Sequence, residues 1–119
     1  MAQYVDGYLL PVPKKSVAQY RRIAQKAARV WRKCGALEYR ECVGDDLKHK
    51  GVVNFPRLSR AKAGDTVVFA WIVYKSKAHR DKVNAKVMKD PLMTSMDPKD
   101  MPFDVRKMAF GGFRVFVKG

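Results

Sequence analysis

Four stretches of the chain carry apolar residues with the period of a strand, and two carry them with the period of a helix. QYVDGYLLPV, residues 3 to 12, reads as a first strand. Pro11 and Pro13 end it, because neither can donate to a ladder. A helix follows over 14 to 34, where Val17, Tyr20, Ala24, Ala27, Trp31 and Cys34 recur at alternating three- and four-residue steps and make one buried stripe. Gly35 supplies its stop. ALEYRECV, 36 to 43, is the second strand. TVVFAWIVYK, 66 to 75, is the third, and it is apolar on both faces, as a central strand is. A second helix over 76 to 90 has Ser76 as its N-cap and Val83 and Val87 on its buried side, and Asp90-Pro91 ends it. AFGGFRVFVK, 109 to 118, is the last strand. Residues 44 to 64 form an excursion with a short helical turn near 56 to 61. A second irregular stretch, 91 to 108, holds three prolines and four methionines.

The order β-α-β-β-α-β predicts an α+β fold of ferredoxin-like layout, an antiparallel sheet with two helices on one face. One domain is expected over 1–119. Strands one and three belong at the centre, two and four at the edges. Alternation along the strands then assigns faces. Val5, Leu9, Leu37, Tyr39, Val67, Phe69, Val73, Phe113, Val115 and Val117 are expected beneath the helices, with Leu37 and Tyr39 against Trp31. Tyr4, Asp6, Tyr8, Leu10, Glu38, Arg40, Cys42, Val68, Ala70, Ile72, Arg114 and Phe116 are expected on the free face. A free face holding Tyr8, Ile72 and Phe116 needs cover, and a second copy packing sheet on sheet supplies it. A one-residue slip of ALEYRECV would bury Glu38 and Arg40 against Ala24 and Ala27 with no partner, which sets their direction away from the helices.

Charge changes the picture next. The chain has 25 basic and 11 acidic residues, a net charge of +14, and the first helix carries no acid at all. Such a chain attracts polyanions, so nucleic acid enters as a partner through Lys14, Lys15, Arg22, Arg29 and Lys33. No RNP-like aromatic pair or GXXG clamp accompanies that basic face. The two cysteines, Cys34 and Cys42, form no CxxC, and the two histidines stand apart, so no metal site and no cofactor are expected. No apolar run approaches the ~20 residues of a membrane span. With no secretory leader pattern in MAQYVDGYLL, a cytoplasmic location is expected and a membrane partner is not.

The stretches YVDGYLLPVPKK, GALEYRECV, VVFAWIVYKSKAHRDKVNAKVM and MPFDVRKMAFGGF together resemble the YbaA-like family, small bacterial proteins of unknown function. The resemblance implies the dimeric α/β-barrel superfamily, in which two ferredoxin-like subunits close their sheets into one barrel. Cofactor-free monooxygenases, haem-handling proteins and ligand-binding modules belong to that superfamily. The family itself implies no activity.

Three function classes follow. In the first, a homodimer encloses a small, partly apolar or anionic molecule between its sheets, with Tyr8, Ile72 and Phe116 as walls and Arg40 and Arg114 orienting it beside Asp6 and Glu38. The enzymatic form of that reading is a cofactor-independent monooxygenase or isomerase with Asp6 or Glu38 as base. In the second, the basic helix holds RNA. In the third, the dimer is purely structural. Met88, Met93, Met96, Met101 and Met108 are either a flexible lid over an apolar pocket or filler under a long loop. His79 shares its helix face with Val83 and Val87, which makes it a packing residue before it is a base.

Overall fold

The computed structural model describes residues 2–119. In chain order it contains β1 (Tyr4–Pro13), α1 (Val17–Cys34), β2 (Glu38–Val43), α2 (Phe55–Leu58), β3 (Asp65–Tyr74), α3 (Lys77–Val87), α4 (Pro91–Thr94) and β4 (Ala109–Arg114). The strands form one antiparallel sheet in the order β2-β3-β1-β4, the ferredoxin-like arrangement. The most apolar strand is inside, and the strand with the acid-base run is at an edge.

Local chemistry sets the element ends. Gly35 closes α1 in the left-handed region, at φ 119°, where a Cβ would be strained. The Ser76 side chain caps α3 by accepting from the His79 N–H at 3.1 Å. Of the two prolines expected to end β1, the strand runs through Pro11 and ends at Pro13. β4 pairs only with Tyr4–Leu9, so beyond Leu9 that side of β1 is an open edge, where a residue without an N–H costs no ladder bond.

Helices α1 and α3 lie on the same face. Ala27, Val30 and Trp31 of α1 pack with Val83 and Val87 of α3 against Ile72 and Tyr74. Fully buried side chains such as Leu10, Val12, Val83 and Val87 contribute about 1.5–3 kcal/mol each relative to exposure, so this face carries the fold's stability. The molecule measures 38 × 37 × 20 Å. Its short dimension is that of one helix layer on one sheet, at about 10 Å a layer, and so the far face of the sheet is bare.

Cross-strand register fixes which residues share each face. Tyr4 pairs with Tyr74, Asp6 with Ile72, Tyr8 with Ala70 and Leu10 with Val68, and this set lies beneath the helices. Val5 pairs with Val73, Gly7 with Trp71 and Leu9 with Phe69 on the bare face. On β1 and β3 this is the reverse of the expected assignment: Asp6, Tyr8 and Ile72 are inside, and Val5, Leu9, Phe69 and Val73 are on the open side. β4 is reversed too, with Arg114 opposite Tyr4 and Phe113 opposite Val5. Phe116 lies beyond β4 and is 89 % exposed. The reason is tertiary. Apolar residues on both faces of β3 give alternation no sign, and Asp6 is accommodated inside by Arg80, which is 74 residues away in sequence. Only β2 keeps its expected faces: Glu38, Arg40 and Cys42 face outward beside Val73, Trp71 and Phe69, and Tyr39 lies inside, its ring 6.0 Å from Trp31. Leu37 does not join that cluster; it precedes β2 and is 37 % exposed.

Candidate functional site

The short side chains of Ala24 and Ala27 keep α1 from filling the space above the sheet. A cavity of about 200 Å³ remains there. The sheet contributes Tyr8, Tyr39, Glu41 and Ile72, α1 contributes Tyr20 and Trp31, and the segment after α3 closes it with Met93, Met96, Met101, Phe103 and Met108. The methionine-rich stretch is thus a wall of a cavity, although Met88 is apart from it and exposed. A second, wider cavity of about 460 Å³ lies alongside, and Tyr20, Tyr39 and Glu41 border both.

Glu41 is the charged group lining the smaller cavity; the wider one is also lined by Arg21. The Tyr20 hydroxyl donates to Glu41 Oε1, and the Tyr39 hydroxyl donates to its Oε2 at 2.6 Å. It forms no ion pair among the described residues. Burial, and then the Glu41 charge, push the phenols of Tyr20 and Tyr39 far above the usual tyrosine range, so both remain donors at any physiological pH. Tyr8 is pushed up by burial first, and then by the charges of Asp6 and Glu41 on either side of it. What results is a carboxylate oriented by two phenols, facing an aromatic and thioether cavity. Such a site can accept hydrogen bonds or hold a positive charge.

Beneath α3 lies a second polar cluster. Asp6 is fully buried and accepts from Arg80 Nη1 at 2.8 Å, and the Arg80 guanidinium lies 4.9 Å from the centre of the Tyr4 ring. Trp31 Nε1 donates to Tyr74 Oη and Asn84 Oδ1, each at 3.1 Å, and the Tyr74 hydroxyl donates to Asn84 Oδ1 at 3.2 Å. Burial raises the Asp6 carboxyl above its usual range; Arg80, Asn84 and Tyr74 oppose that rise, and Oδ2 has no hydrogen-bond partner. His79 Nδ1 accepts from the Lys75 N–H at 3.0 Å, so its ring braces the turn from β3 into α3.

The residues expected to share one ligand site are therefore divided. Asp6, Tyr8 and Ile72 are under the helices. Glu38 and Arg40 are on the open face, where they pair with each other at 3.1 Å and Trp71 Nε1 donates to Glu38 at 3.3 Å. Arg114 and Phe116 are at the exposed end of β4 and beyond it. Glu41 lies outside the expected set, although a signal for it exists: it has the same strand parity as Leu37, Tyr39 and Val43, so alternation alone directs its carboxylate inward with Tyr39.

The open face itself is a broad concavity lined by Val5, Leu9, Phe69, Trp71, Val73 and Phe113. Phe69 is 46 % and Phe113 62 % exposed. Gly7 and Gly111 face each other across β1 and β4, and a Cβ at either would come within 3.4 to 3.6 Å of the Phe113 ring, so their bare backbone gives that ring its bed.

Lys14, Lys15, Arg22, Arg29 and Lys33 are exposed before and along α1, and Lys33 pairs with Asp90 at 3.0 Å. With no aromatic platform among them, RNA binding is expected to be sequence-blind and to fall steeply between low and moderate salt. Filter binding across a salt series checks this; one RNA held tightly at moderate salt, and released by Arg22→Glu with Arg29→Glu, would contradict it. Among the described residues no group of three His, Cys, Asp or Glu side chains could hold a metal ion, and no helix is long and apolar enough to cross a membrane.

Comparison with known proteins adds the following. A family model described as "Protein of unknown function (DUF1428)" matches residues 3–105. The chain is 39 % identical over 115 residues to the uncharacterised protein YbaA of Escherichia coli K12, covering 97 % of each chain, and equally so to that of Shigella flexneri. Among solved structures it resembles a dimeric ferredoxin-like protein from an uncultured marine organism, with a TM-score of 0.61 and 13 % identity over the whole of both chains. It also resembles a NIPSNAP domain protein from Burkholderia xenovorans, with a TM-score of 0.54 and 12 % identity over 92 % of this chain and 91 % of that one. At such identities these two structures speak to the fold alone.

Proposed function

Since the chain belongs to the DUF1428 family of YbaA-like proteins, whose described members have no assigned activity, we propose that it is a homodimeric ligand-binding protein. The helix-free sheet faces of two copies close on each other, and each subunit keeps its own small molecule on the helix side. The observation that supports this reading is the contrast between the two faces of one sheet. One is apolar, aromatic and bare. The other is covered and encloses a cavity with a single oriented carboxylate. A monomer would leave Phe69, Trp71 and Phe113 together in water, beyond what isolated soluble domains usually expose. The ferredoxin-like neighbour described as dimeric supports pairing as the means of cover.

The ligand is small and mostly apolar. An apolar cavity of about 150 Å³ accepts a benzene-sized guest, and the one beneath α1 is of that order. Its methionine wall adapts to the shape of a guest. On this reading the ligand sits within each subunit rather than between the sheets. Titrating protein labelled at its methionine methyl groups with benzyl alcohol tests the reading. Saturable shifts are expected at Met93, Met96, Met101 and Met108, with little change at exposed Met88. Shifts that never saturate, or that appear first at Met88, would contradict it.

A further inference from the structure

We infer that the cavity beneath α1 is an ammonium site: Glu41, held by Tyr20 and Tyr39 among the rings of Tyr8, Trp31 and Phe103, takes an organic cation in which a protonated amine or quaternary nitrogen carries a small apolar body. This rests on the ligand-binding reading above and names the ligand's chemistry.

Three observations converge on it. The first is charge. The chain carries 25 basic residues, yet the carboxylate that borders both cavities forms no ion pair among the described residues. A partly buried carboxylate is costly without a counter-charge, and a cationic guest supplies one. The second is hydrogen-bond capacity. Tyr20 donates to one Glu41 oxygen and Tyr39 to the other, so each oxygen retains a lone pair for a further donor, and both phenols fix the direction in which it is offered. The third is the wall. Aromatic faces attract cations through their quadrupoles, and a cage of rings is the usual recognition element for substituted ammonium groups. Tyr20 and Phe103 meet edge to face at 5.5 Å, and Trp31 and Tyr39 stand 6.0 Å apart and tilted, so the rings come from three different segments of the chain and converge on one space. An anionic guest would meet the Glu41 charge there, with the exposed Arg40 and Arg114 elsewhere on the sheet.

The test compares three guests of one shape at pH 7: benzylamine, benzyl alcohol and benzoate, followed at the methionine methyl groups. Benzylamine is expected to bind roughly tenfold more tightly than the alcohol, the margin of a charge-assisted over a neutral hydrogen bond, and benzoate more weakly than either. In Glu41→Gln, which keeps the size and lets one phenol donate to the amide oxygen while the other turns to accept from the amide N–H, the preference for the amine is expected to vanish while the alcohol still binds. Tyr20→Phe, which leaves the charge, is expected to keep a reduced preference. If the alcohol binds but the amine is no tighter, or if Glu41→Gln leaves the preference unchanged, the ammonium assignment is wrong and the ligand-binding reading stands. If none of the three saturates, both fall. Should Glu41→Gln fail to fold, the benzoate-to-benzylamine ratio in the wild-type protein still decides.

Discussion

Replacing Arg80 by methionine should destabilise the protein by about 3–5 kcal/mol at pH 7, much of the 5–15 kcal/mol by which a small domain is folded. Asp6 is fully buried and accepts from Arg80 Nη1 at 2.8 Å, where the guanidinium is itself only 15 % exposed. Methionine retains the apolar stem and removes the charge, leaving a buried carboxylate without its counter-ion. The double variant Arg80→Met with Asp6→Asn should recover a large part of the loss, because no buried charge then remains. The pH dependence follows from the direction of the Asp6 shift. Its carboxyl lies above the usual value of about 3.8 in the folded protein, so the folded state holds that proton more tightly than the unfolded one. The Asp6 contribution is therefore most favourable in acid and declines as pH rises from the unfolded value to the folded one. Without Arg80 the folded value moves higher still, and the deficit of the Arg80→Met variant should shrink on acidification. Urea midpoints at pH 7 and pH 5 measure both effects; a deficit under 1 kcal/mol, or one that grows in acid, would show that Asp6 and Arg80 do not form the buried pair described.

Phe69→Lys should separate the two copies without unfolding either. Phe69 is on central strand β3, points to the bare face and is half-exposed in the single subunit, so a lysine there can reach water as a monomer. Its ring stands 6.0 Å from Phe55 and 5.8 Å from Trp71, in the middle of the proposed contact. Pairing two such faces would bury an unpartnered ammonium from each copy, at several kcal/mol apiece, which weakens association by a thousandfold or more. Sedimentation should find a monomer with an unchanged far-ultraviolet circular dichroism spectrum. A stable Phe69→Lys dimer would remove the bare face from the interface. Ile72→Lys is expected to differ: Ile72 is 3 % exposed beneath the helices, and a charge there should unfold the subunit.

What was legible in the sequence divides along a physical line. Element order, the α1 stripe, the Ser76 cap and the central places of β1 and β3 all rest on local periodicity or capping, and the structure has each of them. The sense of the sheet does not rest on local signals. β3 is apolar on both faces. β1 offers a choice between Val5 with Leu9 and Tyr4 with Asp6 and Tyr8, and hydrophobicity favours the former for the interior. The structure takes the latter, because α1 and α3 bring Trp31, Arg80 and Asn84 to meet those polar groups. Partners so distant in sequence leave no mark on the strand itself. β2 was readable because its outward face carries Glu38 and Arg40, which no residue of the α1 stripe could neutralise.

The candidate site follows the same division. Glu41 could have been placed by parity alone, but an inward carboxylate on an otherwise apolar face looks like an error until Tyr20, 21 residues earlier, is seen to donate to it. The methionine-rich segment was recognisable as cavity wall or filler from composition. Which cavity it closes depends on where α4 and the turns after it run, and those paths have no periodicity to read. Arg40 and Arg114, expected to orient one ligand, sit on opposite edge strands and do not share a cavity.

The proposed homodimer requires that the helix-free face of the sheet be an interface between two copies. Light scattering of the wild-type protein across the micromolar range measures this directly. A mass near twice the 13.6 kDa of the chain, holding steady on dilution, is expected; a well-folded species of 13.6 kDa throughout would contradict it.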